Sequence, residues 1–389
     1  MQSLLRTLPW VGWVAAVMLF ASPSSAAAAT CEFEQVHFNA EFPSARLDAC
    51  EQLSEREYLL TVAPENKPIN PSPWYAFRAE SQSDQPLELR VIVRSAHGKA
   101  RYTPKASIDK RTWAEIPHTF NDDRVAFALT LQPEAPLYIA GQEIIDNRSY
   151  TRWLASLVNR FESLELSSIG QSTQNRPLPA LIHRATDSKV WFVIIGRQHP
   201  PEITGALALM HFSETLFAAE ELAPLRAQYN ILLVPNMNPD GVHAGNWRHT
   251  TTGLDMNRDW KNRTQPETQA LHAFLQERVS AGERIWFALD FHSTYRNVYY
   301  TMPSDYVRVN GQPLAEPQLV DNWLARLASV IDYGVENKPG HNADSGVFKQ
   351  YIADEYGVHA VTYEVGDRTD RNEIAVTARA AALALRSSE

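Results

Sequence analysis

Residues 190–202 read Val-Trp-Phe-Val-Ile-Ile-Gly-Arg-Gln-His-Pro-Pro-Glu, and this stretch decides the fold. Its first six residues are apolar, and several are β-branched or aromatic, which is typical of a strand buried on both faces. The run then ends in polar residues, and an amphipathic stretch at 204–222 follows it. The sequence therefore predicts an α/β domain in which a buried strand leads directly into a helix.

The same alternation continues along the rest of the chain. Further short apolar runs lie at 231–234, 285–289 and 358–363, and amphipathic stretches lie at 266–279, 317–331 and 372–386. We therefore expect a largely buried sheet covered by helices, and we place this α/β domain at 146–389.

The region before it is different in texture. Residues 74–78, 87–94 and 125–131 alternate apolar and polar side chains, and the pieces between them are rich in Pro, Asn, Asp and Ser. This pattern predicts a small antiparallel β-sandwich domain at 30–145. Residues 31–140 contain no cluster of ligand or nucleophile residues.

The first 29 residues read as a targeting segment. Arg6 precedes the short apolar run at 11–20, and small residues fill positions 25–29, so 1–29 is predicted to be a secretory signal peptide. A membrane anchor is the alternative, but the run falls short of the roughly 20 residues that span a bilayer. We therefore expect an exported protein, periplasmic or secreted, without a stable membrane span once the signal is removed.

Cysteine content agrees with export. Cys31 and Cys50 are the only cysteines, and in an oxidising compartment they are expected to pair, two unpaired thiols being the alternative. Over 389 residues the chain is 44% hydrophobic and 21% charged, with a formal net charge of −9. This composition excludes wholesale disorder and gives no basic surface for nucleic acid.

Candidate metal ligands stand where core strands end. His199 and Glu202 follow the run at 190–195, and His292 follows the run at 285–289. Two imidazoles and a carboxylate are a ligand set suited to one catalytic zinc ion, with a position left open for water. Taken singly, the His-x-x-Glu spacing is also compatible with a simple helix N-terminus, and His292 with a core histidine.

The segment 236–260 and a later strand end supply further candidates. Arg258 with Asn257 could clamp a free carboxylate, Arg248 could stabilise an oxyanion, and Asp255 could accept the second N–H of a ligand histidine. Glu364 leaves an apolar strand, where burial would raise its pKa and suit it to act as a general base. Its alternative interpretation is a structural pair with Arg368.

Together these residues resemble the carboxypeptidase A-like zinc carboxypeptidase family. The resemblance covers about 150–389 and rests on the following residues in this order: Ile169 to Leu178, His199-Pro200-Pro201-Glu202, Asn238-Pro239-Asp240-Gly241, Arg248, Asp255-Met256-Asn257-Arg258, His292 and Glu364. The region around 74–78 looks like the N-terminal domain of the cytosolic carboxypeptidase (deglutamylase) branch.

The resemblance implies a mixed, mostly parallel eight-stranded sheet and a metallocarboxypeptidase that hydrolyses C-terminal peptide bonds with metal-activated water. It implies the roles proposed above from the residues themselves. The ligands of one zinc ion are His199, Glu202 and His292, and the general base is Glu364. The oxyanion donor is Arg248, and the terminal carboxylate of a peptide is received by Asn257 and Arg258. Pro201 replaces the glycine usual in the family. A substrate-capping tyrosine is not assigned, since residues 340–344 read Gly-His-Asn-Ala-Asp.

Substrate preference is less determined by these motifs. Lys349 stands at the distance from Glu364 at which the family places a side-chain pocket residue, and a lysine there would favour an acidic terminal residue. A solvated helix lysine is the alternative. Two other functions stay open: a zinc deacylase of the succinylglutamate desuccinylase and aspartoacylase type, and a non-catalytic peptide- or glycan-binding protein.

Overall fold

A computed structural model describes residues 30–386, so the predicted signal peptide at 1–29 lies outside the described residues. The strands are β1 (Thr30–Glu32), β2 (Val36–Asn39), β3 (Ala49–Ser54), β4 (Glu57–Val62), β5 (Ala76–Ser81), β6 (Leu87–Ser95), β7 (Lys105–Ser107), β8 (Ala114–Glu115), β9 (His118–Asn121), β10 (Arg124–Leu131), β11 (Leu137–Ala140), β12 (Leu164–Gln171), β13 (Pro177–His183), β14 (Val190–Gly196), β15 (Asn230–Val234), β16 (Arg284–Thr294), β17 (Val298–Thr301), β18 (Asn337–Pro339) and β19 (Ala360–Gly366). The helices are α1 (Asn147–Arg160), α2 (Ile203–Ala218), α3 (Ala223–Gln228), α4 (Pro239–Ala244), α5 (Pro266–Ser280), α6 (Leu319–Ala328), α7 (Phe348–Tyr356) and α8 (Arg371–Leu383).

Strands β1 to β11 form two sheets that pack face to face. The first has the order β1-β2-β5-β11-β7-β8 and the second the order β3-β4-β6-β10-β9. Every neighbouring pair is antiparallel except β4 with β6. Phe38 and Phe77 of the first sheet share one core with Val91 and Phe127 of the second. The predicted antiparallel β-sandwich is confirmed.

A disulfide joins the two sheets of this sandwich. Cys31 on β1 is bonded to Cys50 on β3, as the sequence predicted. Strand β1 is only three residues long and pairs with β2 of its own sheet. The disulfide also links β1 to the second sheet, with which it shares no backbone ladder.

The remaining strands form one eight-stranded sheet in the order β12-β13-β15-β14-β16-β19-β17-β18. Its centre, β15-β14-β16-β19, is parallel, and β17 with β18 is parallel as well. The hairpin β12-β13 and the junctions β13-β15 and β19-β17 are antiparallel. The predicted mixed sheet is confirmed, with parallel pairs in a small majority.

Helices cover both faces of this sheet, and β14 shows why. Phe192 and Ile194 point into a core that includes α2 and α8, whereas Trp191 and Val193 point into a second core with α5 and α7. A strand between two apolar layers must be apolar on both faces. Among residues 30–386 no helix has the length and apolar character to cross a bilayer.

Candidate metal centre

The three predicted ligands lie at the carboxyl ends of two neighbouring parallel strands. His199 follows β14, Glu202 is the residue before α2, and His292 lies near the end of β16. Gly196 of β14 is the register partner of Phe291 of β16, which brings the two strand ends side by side. Such an edge is where α/β sheets place their ligand sites.

The structure brings these side chains together in one buried cluster. His199 Nδ1 lies 2.8 Å from Glu202 Oε1, and His292 Nδ1 lies 2.7 Å from Glu202 Oε2. One ligand atom from each residue lies within 4.8 Å of the others, and all three side chains are buried. Burial opposes ionisation of Glu202, but the two imidazoles hold the pKa of its carboxyl below the ordinary value.

The outer nitrogens of both imidazoles are also occupied. His199 Nε2 lies 2.9 Å from Asp255 Oδ1, and His292 Nε2 lies 2.7 Å from Asp290 Oδ2. An N–H donated to each carboxylate fixes the ring orientation and leaves Nδ1 as the ligand atom. The donor set therefore consists of two Nδ1 atoms, on imidazoles oriented by Asp255 and Asp290, and the carboxylate of Glu202. Such a set fits a zinc ion.

Sequence reasoning missed Asp290. The signal was present, because Asp290 precedes His292 by two residues and alternate residues of a strand share one face. The carboxylate of Asp290 also accepts from Gln198 Nε2 at 2.6 Å, and Gln198 Oε1 accepts from Trp260 Nε1 at 2.8 Å. The partner of His292 is thus itself anchored in the core.

The local turn explains how His199 and Glu202 meet. The N–H of Glu202 donates to the carbonyl of His199 at 3.3 Å, which closes a turn around the two prolines. Glu202 directly precedes α2, and its side chain accepts no capping hydrogen bond from the helix, so the carboxylate is left for the histidines. At Gly205, one turn into α2, a Cβ would overlap with the carbonyl oxygen of His292, so helix and strand touch through their backbones.

The Asn238-Pro239-Asp240-Gly241 run shapes the site. Asn238 caps α4 by accepting from the N–H of Gly241 at 2.9 Å, and its amide donates to the carbonyl of Gln198 at 3.0 Å. Asp240 accepts from Ser172 Oγ and from the N–H of Gln174, both at 2.7 Å. This motif therefore ties the segment that opens the α/β domain to the turn before the ligands.

Three residues predicted to meet substrate lie next to the ligands. Arg248 Nε donates to Asp255 Oδ2 at 2.7 Å, on the same carboxylate that holds His199. Asn257 Nδ2 lies 3.3 Å from His292 Nε2, and Asn257 Oδ1 accepts from the N–H of Phe348. Arg258 is exposed, and its Nη1 donates to the carbonyl of Asn257 at 2.7 Å.

Glu364 faces the same cluster from β19. It is the register partner of His292 in the parallel pair β16-β19, so both side chains lie on one face of the sheet. Its Oε2 is buried and has no hydrogen-bond partner in residues 30–386, and burial raises the pKa of its carboxyl to about 7. The alternative pairing is wrong, because Arg368 instead donates to the carbonyl of Arg101.

Lys349 on α7 is buried, with 4% of its surface exposed, so its interpretation as a solvated helix lysine is wrong. Its Nζ contacts the carbonyl of Gly340 and lies 3.6 Å from Met302 Sδ. It forms no ion pair with a carboxylate within residues 30–386. Burial lowers the pKa of its ammonium group to about 8.

A residue of the β-sandwich domain also contacts the segment that carries Arg248, which the sequence did not indicate. Glu65, in the loop between β4 and β5, accepts hydrogen bonds from the backbone beside Arg248. No local pattern in the sequence marks Glu65, because its partners lie more than 180 residues away.

Comparison with known proteins agrees with this architecture. The sequence profile of the zinc carboxypeptidase family matches residues 150–382, and that of the cytosolic carboxypeptidase N-terminal domain matches residues 38–140. Human cytosolic carboxypeptidase 6 is 27% identical over 320 residues, which cover 73% of this chain and 63% of the human protein. The Caenorhabditis elegans protein of the same name is 25% identical over 332 residues, covering 77% of this chain and 71% of that one.

Solved structures share the fold over both domains. A metallo-carboxypeptidase from Burkholderia cenocepacia superposes with a TM-score of 0.72 at 19% identity, covering 90% of this chain and 97% of that chain. One from Pseudomonas aeruginosa, in complex with (2-guanidinoethylmercapto)succinic acid, gives a TM-score of 0.70 at 21% identity, covering 90% and 98%. At these identities the likeness establishes the fold alone.

Proposed function

The chain belongs to the zinc carboxypeptidase family, and from that premise we propose that it is a metallocarboxypeptidase that removes the C-terminal residue of peptides. It spans 63% of the length of the human relative, so the activity and substrates of this chain are argued from its own residues. One observation carries the proposal: His199, Glu202 and His292 converge within 4.8 Å, and Glu364 is in register with His292.

His199, Glu202 and His292 would hold a single zinc ion. When bound, zinc lowers the pKa of water and polarises the scissile carbonyl. Asp255 and Asp290 keep the two imidazoles oriented for this ligation through their contacts with the Nε2 atoms.

Glu364 is the proposed general base and acid. A free, buried carboxylate oxygen with a pKa of about 7 can take a proton from the attacking water and return it to the leaving nitrogen. The water oxygen bonds to the carbonyl carbon, the C–N bond breaks, and the nitrogen leaves as an amine with the proton from Glu364. The products are a shortened peptide and a free amino acid.

Positive side chains complete the proposed site. Arg248 uses Nε for Asp255 and would offer the rest of its guanidinium to the oxyanion that forms during attack. Arg258 is exposed beside Asn257, and the two would receive the terminal carboxylate. Selection for a free C-terminus follows, since a blocked terminus would leave these donors without a charged partner.

Lys349 supports a preference for an acidic terminal residue. A buried ammonium group without a carboxylate partner in residues 30–386 is an unfavourable arrangement that a substrate carboxylate would relieve. The acidic side chain of a terminal Glu or Asp is the proposed complement.

We also propose that the protein is exported to the periplasm or secreted. The Cys31–Cys50 disulfide supports this location, because such bonds persist in oxidising compartments and are rare in the cytosol.

The test is a release assay on peptides ending in Glu, Asp, Leu or Lys, each with a free or an amidated C-terminus. Wild type with zinc should release free amino acid from the free-terminus peptides only, with Glu favoured. The same enzyme treated with a chelator, and the variant Glu364→Gln, should release none.

The same assay separates the two other functions. Release of an acyl group from an N-acylated amino acid, without cleavage of peptides, would identify a deacylase. Binding of peptide or glycan by wild type and Glu364→Gln alike, with no product from either, would identify a non-catalytic protein.

A further inference from the structure

We infer that Glu65, a residue of the β-sandwich, is a positioning residue for Arg248, so that the oxyanion donor is held in place by the neighbouring domain. This inference rests on the proposed function of Arg248. It gives the sandwich an indirect part, through Arg248, in the chemistry of the α/β domain.

The contact is a convergence of three successive backbone donors on one carboxylate. The N–H of Trp247 donates to Glu65 Oε2 at 2.8 Å, and the N–H groups of Arg248 and His249 donate to Glu65 Oε1 at 3.0 and 2.6 Å. Hydrogen bonds to an ionised acceptor are about twice as strong as neutral ones. Glu65 therefore fixes the backbone on both sides of the Arg248 Cα.

The amides of residues 247–249 need this support because no backbone carbonyl within residues 30–386 accepts a hydrogen bond from them. Residues 246–255 form neither helix nor strand, yet residues 246–250 are all buried. A buried N–H without a hydrogen-bond partner carries the full penalty of its desolvation. Since no strand or helix is available to pair with these amides, the carboxylate from the sandwich takes that place.

Neighbouring contacts from the sandwich restrain the same loop. Asn66 Oδ1 lies 2.6 Å from His249 Nδ1, and Asn66 Nδ2 donates to the carbonyl of Gly253 at 2.9 Å. Trp247 Nε1 donates to the carbonyl of Trp74 at 3.1 Å. These contacts from the segment between β4 and β5 hold the loop at the backbone of Gly253 and at the side chains of Trp247 and His249.

The restraint continues to the metal cluster through a short chain of contacts. Glu65 holds the Arg248 backbone, Arg248 Nε donates to Asp255, and Asp255 accepts from His199. Because Asp255 has its own bond to the N–H of Asn257 at 3.0 Å, it does not depend on Arg248 for its position. Loss of Glu65 should therefore displace the arginine and spare the metal site.

The experiment compares full-length Glu65→Gln with wild type, using zinc-loaded protein and a peptide ending in Glu. Glutamine keeps the size but offers one acceptor oxygen and an NH₂ group, which is repelled by the backbone donors. We expect kcat to fall about 10-fold with KM changed less than about 2-fold, because an oxyanion donor acts mainly in the transition state. Zinc content should stay at one per chain, and Glu57→Gln on β4, a partly buried ion-pair residue of the sandwich, should match wild type.

A double-mutant cycle separates positioning from general stability. In the Arg248→Ala background, Glu65→Gln should lower kcat no further. An equal loss in both backgrounds, or an unchanged kcat in Glu65→Gln, would overturn the inference. Should Glu65→Gln not fold, Asn66→Ala is judged by the same two criteria.

Hydrogen exchange gives a readout that needs no activity. The amides of residues 247–249 should exchange at least about 10-fold faster in Glu65→Gln than in wild type, and unchanged exchange there would overturn the inference. Absence of product from wild type, with faster exchange in Glu65→Gln, would contradict the proposed function and leave the restraint by Glu65 supported.

Discussion

The two sides of the metal centre differ in how their polar atoms are satisfied. On the ligand side, each imidazole has one nitrogen against Glu202 and the other against Asp255 or Asp290. On the opposite side, within residues 30–386, Glu364 Oε2 has no hydrogen-bond partner.

This difference separates the residues that would hold the zinc ion from the residue that would exchange a proton with the attacking water. Buried polar groups in folded proteins are nearly always satisfied, so an exception asks for an explanation. On the ligand side both imidazoles, Glu202, Asp255 and Asp290 lie in contact with one another, although Asp290 Oδ1 has no partner among residues 30–386. We expect the unpaired Glu364 Oε2 to mark the position where the attacking water would bind.

Replacement of the proposed general base is expected to have the largest effect on activity and tests the role given to the Glu364 side of the site. Glu364→Gln should lower kcat by about 10⁴-fold, the upper end for loss of a general base, with zinc content unchanged. Because desolvation raises the pKa of the Glu364 carboxyl, its replacement by a neutral amide should not lower the melting temperature. Peptide release at fixed zinc occupancy measures the effect, and activity within 10-fold of wild type would assign the base to another residue.

Arg248→Ala tests the donor that lies between the two sides. We expect kcat to fall by about 10²- to 10³-fold, the usual cost of losing an oxyanion donor, with KM nearly unchanged. Steady-state kinetics measures both constants. A rise in KM at constant kcat would instead place Arg248 on the bound substrate.

Asp290→Asn sharpens the comparison on the ligand side. The asparagine keeps the shape but removes the charge that faces His292 Nε2, so zinc affinity should fall about 10- to 100-fold. Competition against a chelator of known affinity measures it. Asp123→Asn, at an exposed ion pair, is the matched control and should bind zinc as wild type does.

Lys349→Met gives the smallest effect and tests selectivity. The ratio of kcat/KM for a terminal Glu over a terminal Leu should drop about 10-fold, as expected for loss of one charge-assisted contact. Lys338→Met, at an exposed lysine, is the control. An unchanged ratio in Lys349→Met would place the acidic pocket elsewhere.

The pH dependence of the same ratio follows from the lowered pKa of Lys349. An ammonium group with a pKa of about 8 is charged below that pH and neutral above it. The preference for Glu should therefore be full near pH 6.5 and decline as the pH rises through 8. In Lys349→Met the ratio should be flat over this range.

The core strands were predictable because they are buried on both faces. The runs at 190–195 and 231–234 appear as β14 and β15, since continuous apolar stretches have few other places in a folded chain. The stretches that become α2, α5, α6 and α8 were found by a different signal, their amphipathic pattern, with boundaries shifted by a few residues. Short edge strands such as β8 and β18 carry no such periodic signal.

The site divides in the same way. His199, Glu202 and His292 stand at strand ends and were identifiable from their positions, and Asp290 could have been found from its two-residue spacing to His292. The burial of Lys349 depends on how α7 packs, and the contact of Glu65 with Arg248 depends on how two domains meet. Neither the burial of Lys349 nor the contact of Glu65 can be predicted from a local sequence pattern.

The backbone contact at Gly205 has an evolutionary consequence. Helix α2, which begins directly after Glu202, lies at Gly205 against the main chain of His292 with no side chain between them. Substitutions in the hydrophobic core usually change the volume of a side chain, but the contact at Gly205 is made by backbone atoms and contains no side chain. The separation of the two ligands is thereby insulated from mutation in the surrounding interior, and a lineage can alter much of its packing without altering the geometry presented to the ion.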